Sequence, residues 1–344
     1  RVQRMKVLVT GGLGYVGSVL VPHLAKKHQV RVYDSMLFGN SIAGTPNVEF
    51  VKGDITDGEA LSRALAGQEA VIHLAGVVTD ELVDMNPVYA KLVNLEATER
   101  LCLWAIAKGV KRLIYASSSS VYGSQEEPCT EESPTKPETA YAETKLAAER
   151  IWMASPAAGA AVWGRLAPGE RWTLEVTTAV RSATCCGPAP RMRLDTIVNV
   201  FSKQAWFDGK ITVFDGTQYR SNIHVQDIAE LYGLLLAAPA AQVNGQVFNA
   251  VREYASALQI ARLVALEAGA MKFCTIDVDH TKKDSRQYRM SGAKAERALG
   301  WRPARTISQA VRDNFAWFDQ GGVPDPNDNL YYNTRRMKDV VTKG

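Results

Sequence analysis

Between residues 10 and 17 the chain reads Thr10-Gly11-Gly12-Leu13-Gly14-Tyr15-Val16-Gly17. No other segment restricts the fold so strongly. It follows Val7-Leu8-Val9-Thr10, an apolar run that reads as a buried strand, and it opens a helical pattern from Tyr15 to Lys27. Glycines at G-x-x-G-x-x-G spacing between a strand and a helix have a joint physical meaning. Gly11 permits the tight turn, Gly14 lets backbone amides approach a pyrophosphate, and Gly17 lets the helix pack closely. Tyr15 and Val16 then sit at a helix N-terminus whose unpaired N–H groups favour phosphate.

The pattern downstream continues in kind. Short apolar runs at Val30 to Tyr33, Val48 to Lys52, Ala70 to Leu74 and Arg112 to Ala116 alternate with helical stretches at Asp57 to Ala66 and Pro87 to Lys108. Continuous apolar strands separated by helices predict a parallel sheet covered on both faces, a doubly wound α/β domain of the Rossmann type. The second half is more mixed. Strands are expected at Thr173 to Arg181, Asn222 to Val225, Gln246 to Asn249 and Phe273 to Val278. Helices are expected at Thr196 to Phe207, Gln226 to Ala238, Ser256 to Glu267, Ser291 to Leu299 and Thr306 to Phe318. We divide the chain into a dinucleotide-binding domain over residues 1–186 and a smaller mixed α/β region over 187–344. Residues 221–238 are expected to pack back on the first domain. Ala154 to Gly169, rich in Ala, Gly and Pro, reads as a surface insertion.

Several residues at strand ends fit a dinucleotide. Asp34 ends the second strand, where a carboxylate accepts hydrogen bonds from the adenosine ribose and repels a 2′-phosphate, so NAD is favoured over NADP. Asp54 and Ile55 follow the third strand and suit an adenine ring. Leu74, Ala75 and Gly76 are small enough at the fourth strand end for the backbone to pass close to the cofactor. Asn94, on the long helix, is counted with these cofactor-contacting residues. His73 reads as a packed core histidine.

A second constellation carries the chemistry. In Tyr141-Ala142-Glu143-Thr144-Lys145, positions i and i+4 share a helix face, which sets an ammonium beside a phenol. That positive charge is expected to lower the phenol pKa and make Tyr141 a general base toward a substrate hydroxyl. The strand end Ser117-Ser118-Ser119-Ser120 supplies hydroxyls that can hold the reacting oxygen.

Bulk properties exclude other classes. A net charge of +4 with both signs interspersed leaves no basic block for nucleic acid or membrane, and no apolar run approaches a membrane span. Arg1 to Lys6 runs straight into a strand without an apolar leader stretch. The five cysteines include no C-x-x-C pair and read as reduced thiols, so a cytoplasmic location is expected and no metal site is seen.

Taken together, GGLGYVG, Asp34, GDI, HLAG, SSSSVYG, YAETK, Arg181 with Gly187-Pro188, the run Arg220 to Asp227, Ser285 to Tyr288 and Leu299-Gly300-Trp301 resemble the extended short-chain dehydrogenase/reductases. The branch is that of NAD-dependent nucleotide-sugar epimerases and dehydratases. The resemblance implies Ser118, Tyr141 and Lys145 as the catalytic set, and a nucleotide-diphosphate sugar as substrate. It places Arg220 and Arg286 on the diphosphate, Ser118, Ser119 and Thr184 toward the sugar, and Tyr141 and Lys145 also on the cofactor. It implies a homodimer through helices Pro87 to Lys108 and Ala140 to Met153. The family's 4,6-dehydratases carry Asp-Glu after the catalytic Ser/Thr, where this chain has Ser119 and Ser120, and its decarboxylases keep a glutamate there. Thr184 stands where epimerases often have Asn. The resulting expectation is an epimerase working through a transient 4-keto sugar. A 4-ketoreductase or dehydrogenase of a nucleotide-linked deoxysugar is the enzymatic alternative, and a non-catalytic NAD-binding regulator the third.

Overall fold

The computed structural model describes residues 4–162, 174–269, 273–281, 287 and 289–343. Its first layer is built by β1 (Lys6–Thr10), α1 (Tyr15–Ala25), β2 (Gln29–Asp34), β3 (Val48–Lys52), α2 (Gly58–Leu65), β4 (Ala70–His73), α3 (Asp80–Met85), α4 (Pro87–Lys91), α5 (Ala97–Ala107), β5 (Arg112–Ser118), α6 (Ala140–Val162) and β6 (Val176–Ser182). The rest comprises β7 (Thr184–Cys186), α7 (Ile197–Lys203), β8 (Lys210–Phe214), β9 (Tyr219–His224), α8 (Val225–Ala237), α9 (Ala240–Val243), β10 (Gln246–Ala250), β11 (Glu253–Ser256), α10 (Ala257–Ala268), β12 (Thr275–Asp279), α11 (Ala293–Leu299), α12 (Ile307–Asp319) and α13 (Asn333–Lys343).

Seven parallel strands form the main sheet in the order β10-β6-β5-β4-β1-β2-β3. The doubly wound α/β expectation therefore holds. The strands are apolar throughout because both faces are covered: one by α1 and α8, the other by α5 and α6. A third core lies among α7, β8, α10 and α12 in the second half. Two small sheets, β11-β9-β7 and β12-β8, complete the chain.

The winding direction reverses between β1 and β4, and the ends of neighbouring strands are in register. Thr10 pairs with Tyr33 on β2 and His73 on β4, and Ser118 on β5 pairs with Ser182 on β6. A crevice opens above such a switch point, at the carboxyl ends of the strands.

Three details depart from expectation. The helix expected from Pro87 to Lys108 contains a π turn at Leu92–Glu96, which swings Asn94 inward and buries it. Strand β10 comes from the second half yet forms the edge of the main sheet, so the interleaving of the two halves extends past α8. Finally, β7, β8, β11, α3 and α13 were not foreseen. The expected insertion at 154–169 continues α6 as far as Val162, and its remainder lies outside the described residues.

Candidate active site

The crevice above the switch point is a cleft of about 970 Å³. One end is formed by the glycine turn. Gly11 has φ +70°, and a Cβ there would stand 2.6 Å from the backbone of Ala75 at the end of β4. A Cβ on Gly17 would overlap Gly12 at 2.6 Å, so this glycine lets α1 pack on the turn itself rather than on the strand. No side chain caps α1 and its first turn holds no acidic residue, which leaves its N-terminus electropositive toward the cleft. These features fit a dinucleotide pyrophosphate.

Asp34 lines the same end, with Asp54, Ile55, Leu74, Ala75, Gly76, Tyr15 and Val16. Its carboxylate accepts from the N–H groups of Leu13 at 3.0 Å and Met36 at 2.8 Å. Burial raises its pKa and those two bonds oppose the rise. Tyr15 also does something else: its buried hydroxyl donates to the carbonyl of Gly187 at 2.5 Å and accepts from Asn199 at 3.0 Å, tying α1 to the second half.

Asn94 departs from expectation. It is not among the residues lining the cleft. Its amide instead clasps the backbone of Val77, accepting from the N–H at 2.8 Å and donating to the carbonyl at 2.9 Å. It shapes the loop that forms the cleft wall. Next on that loop, Thr79 has φ +103°, a strained conformation for a β-branched residue, and it lines the cleft with Asp80 and Glu81.

Ser118, Ser119, Tyr141 and Lys145 converge on the cleft floor. Ser118 ends β5 and caps the short turn that follows. Ser120 donates to the Ser118 hydroxyl oxygen from its N–H at 3.2 Å and its own hydroxyl at 2.9 Å, and Ser118 bonds in turn to the Tyr141 phenol. Lys145, one turn along α6, is 7% exposed, with its ammonium 4.3 Å from the ring centre of Tyr115.

The phenol's acidity differs from the expectation. Burial raises the Tyr141 pKa above its usual value, while the Ser118 bond and Arg193 pull it down. Lys145 bears the complementary strain: burial lowers it from 10.5 to about 7, and Glu149 resists. Two groups crowded out of water are thus each pushed toward neutrality. Lys145 therefore destabilises the cofactor-free fold fully below pH 7, and the cost is relieved as pH rises toward 10.5. Chemical denaturation should find Lys145→Met more stable than the parent near pH 6, with the difference shrinking steadily toward pH 10. A pH-independent difference would contradict the assignment.

Below the floor lies a buried ion pair. Arg181 donates to both Glu149 oxygens, at 2.6 Å and 3.0 Å, and Ser117 donates to one of them at 2.6 Å. Arg181 also reaches the Tyr122 hydroxyl, which donates to Asn249 on β10. His73 is a core histidine. It is stacked on Trp152, bonded to Thr10 and Thr98, and held neutral with a pKa lowered to about 3 by burial.

The opposite wall comes from the second half. Thr184 and Arg220 line it as expected, and Arg220 donates to the carbonyl of Tyr219 at 2.9 Å. Arg286 lies outside the described residues. The cleft also takes in residues the motifs did not mark: Arg191, Arg193, Asp195, and from α13 Asn333, Met337 and Val340. No short-range signal identifies them, because each reaches the site only through the fold of the second half. Among the described residues, no group of three or more His, Cys, Asp or Glu side chains could hold a metal.

Known proteins place this geometry. Residues 7–250 match the model of the NAD dependent epimerase/dehydratase family. The chain is 30% identical over 335 residues to a UDP-glucose 4-epimerase of Lactobacillus helveticus, covering 91% of this chain and 97% of that one. It is 26% identical over 333 residues to a dTDP-glucose 4,6-dehydratase of an Actinoplanes species, covering 91% and 98%. Its fold is similar, at a TM-score of 0.77 and 25% identity over 92% of this chain and 99% of the other, to a UDP-glucuronic acid 4-epimerase from Bacillus cereus solved with UDP-glucuronic acid and NAD. A family model that spans most of the chain, and a relative matched along nearly its whole length, agree with the glycine turn and the Ser118, Tyr141 and Lys145 floor: the chain belongs to the NAD dependent epimerase/dehydratase family.

Proposed function

We propose that this chain is an NAD-dependent epimerase of a nucleotide-diphosphate sugar, working through a transient 4-keto sugar. The observation that carries this reading is the meeting of Ser118, Tyr141 and Lys145 in one cleft with the glycine turn and Asp34. Tyr141 takes the proton of the sugar 4-hydroxyl, and Ser118 holds that oxygen against the phenol. NAD, when bound, would accept the hydride from C4 and return it to the opposite face of the ketone, and its cationic ring would favour the phenolate. Lys145, one helical turn from Tyr141 and with its pKa lowered to about 7, adds a second positive charge there when it is protonated. The 4-keto sugar turns over in the cleft, and Tyr141 returns the proton on completion. Arg220 and Thr184 belong to the substrate side, with Arg286 added by resemblance. Gly11, Gly14, Gly17, Asp34, Asp54, Ile55 and the Leu74–Gly76 backbone belong to the cofactor.

A 4,6-dehydratase is disfavoured, because elimination needs a positioned acid and base and the chain offers Ser119 and Ser120 there. We also propose a division into residues 1–186 for NAD and 187–344 for the nucleotide sugar, with α8 packed on α1. A homodimer through the helices of residues 87–108 and 140–153 is proposed from the resemblance alone. A cytoplasmic location is supported by the unpaired cysteines, and among the described residues no helix is long and apolar enough to cross a membrane.

The test incubates the protein with a panel of nucleotide sugars and no added cofactor. A product of unchanged mass and new retention time is expected. A mass change of two hydrogens that requires added cofactor would instead establish the 4-ketoreductase or dehydrogenase, and a panel without any isomer would sink the epimerase.

A further inference from the structure

Arg191 belongs to no motif, yet it is 5% exposed and lines the cleft beside the α1 N-terminus. Its position is built from three directions. The backbone N–H donates to Ser18 Oγ on α1 at 3.2 Å. The guanidinium lies 3.7 Å from the ring centre of Phe38, which follows β2. Nη2 donates to Oδ1 of Asn333, the first residue of α13, at 2.6 Å. Nε has no partner.

A buried cation without an anion is costly. Asp34 and Asp195 attract it from a distance, but among the described residues neither is in ion-pair contact with it: Asp34 accepts from two backbone amides, and Asp195 is paired with Arg193 at 2.5 Å. Arg191 is thus a positioned donor with an unused N–H, lining the cleft next to an uncapped helix N-terminus. Guanidinium and helix amides are the two groups best suited to a phosphate.

We infer that Arg191 binds a phosphoryl oxygen of the dinucleotide beside the glycine turn, with Phe38 and Asn333 as its positioning residues. This rests on the NAD reading given above. Two phosphates have the right chemistry: the pyrophosphate, common to NAD and NADP, and the 2′-phosphate, present only in NADP. The pyrophosphate is assigned, because Asp34 places negative charge where a 2′-phosphate would sit. The C-terminal helix α13 thereby becomes part of the cofactor site, holding the arginine in place through Asn333.

The test measures dissociation constants of NAD and NADP by calorimetry on cofactor-stripped protein, for the parent, Arg191→Met and Asn333→Ala, with thermal unfolding to verify folding. A hydrogen bond to a charged group contributes about 1.5–3 kcal/mol. Arg191→Met should therefore weaken NAD and NADP alike by about 10- to 100-fold. Asn333→Ala should weaken both by a smaller factor. An NAD affinity unchanged in Arg191→Met overturns the inference, and a loss confined to NADP overturns the pyrophosphate assignment in favour of the 2′-phosphate. If Arg191→Met does not fold, Asn333→Ala decides by the same criterion. Failure of the parent to bind NAD at all would overturn this inference and the functional reading together, whereas unchanged variants overturn this inference alone.

Discussion

Replacing Tyr141 by Phe is expected to remove turnover while leaving the cofactor in place. A positioned general base contributes about 10²- to 10⁴-fold to rate, and Phe keeps the ring but not the proton acceptor. Most of the residues proposed to hold the cofactor, Gly11, Gly17 and Asp34 among them, keep their side chains and backbone unchanged in this variant. Stripped Tyr141→Phe protein should therefore bind NAD with nearly the parent's affinity while its epimerisation rate falls by at least a hundredfold. This separates an enzyme from a cofactor-binding regulator. Retention of the parent rate would mean that the proton is taken by another group and that the Ser118–Tyr141 arrangement has a different purpose. Loss of NAD affinity together with rate would instead assign the phenol a structural role.

Glu149→Ala is expected to have the largest effect on stability of any single change near the site. Glu149 and Arg181 are buried, at 3% and 7% exposure, and joined through two hydrogen bonds. Removing the carboxylate strands a guanidinium under the sheet and leaves the Ser117 hydroxyl without its acceptor. The cost of breaking such a pair is about 3–5 kcal/mol, which for a chain of this size lowers the melting temperature by roughly 4–7 °C. The pair carries another consequence. Glu149 is the charge that resists the depression of the Lys145 pKa, so its loss pushes that amine further toward neutrality. Replacing both partners, as in Glu149→Leu with Arg181→Met, should recover much of the stability, because well-packed apolar groups of similar volume substitute for a buried ion pair at little cost. A double variant no more stable than Glu149→Ala would show that the network to Tyr122 and Asn249 matters more than the pair.

The two expectations differ in what they ask of the sequence. Tyr141 and Lys145 are one helical turn apart, and their proximity follows from helix geometry alone. Glu149 continues the same face at i+8, but its partner lies 32 residues away on β6. Its meaning depends on how α6 is laid across β5 and β6.

The same division runs through the whole molecule. The glycine turn, the apolar strands and the alternation with helices were legible because each is a property of a short window. A strand covered on both faces must be apolar at every position, and a turn that meets a phosphate must lack side chains. These local demands were enough to predict the doubly wound sheet that the fold shows, and to propose a dinucleotide site at its switch point with Ser118, Tyr141 and Lys145 beside it. Tertiary structure decided the rest. Asn94 reads as a cofactor ligand from the sequence, and only the fold shows that its amide clasps the Val77 backbone from a π turn. Lys145 was expected to acidify Tyr141, yet burial, which spacing does not report, prevails for both groups. Strand β10 joins the main sheet beside β6, 68 residues earlier in the chain, and Tyr15 meets Gly187 172 residues away. Helix α13 is too polar to announce a buried face, and its Asn333 meets Arg191 across 142 residues. Sequence by itself determined which local shapes the chain can adopt and what chemistry its motifs can hold. Only the fold, by packing distant segments and excluding water between them, decided which charges are buried, which are paired, and which side chains face the cleft.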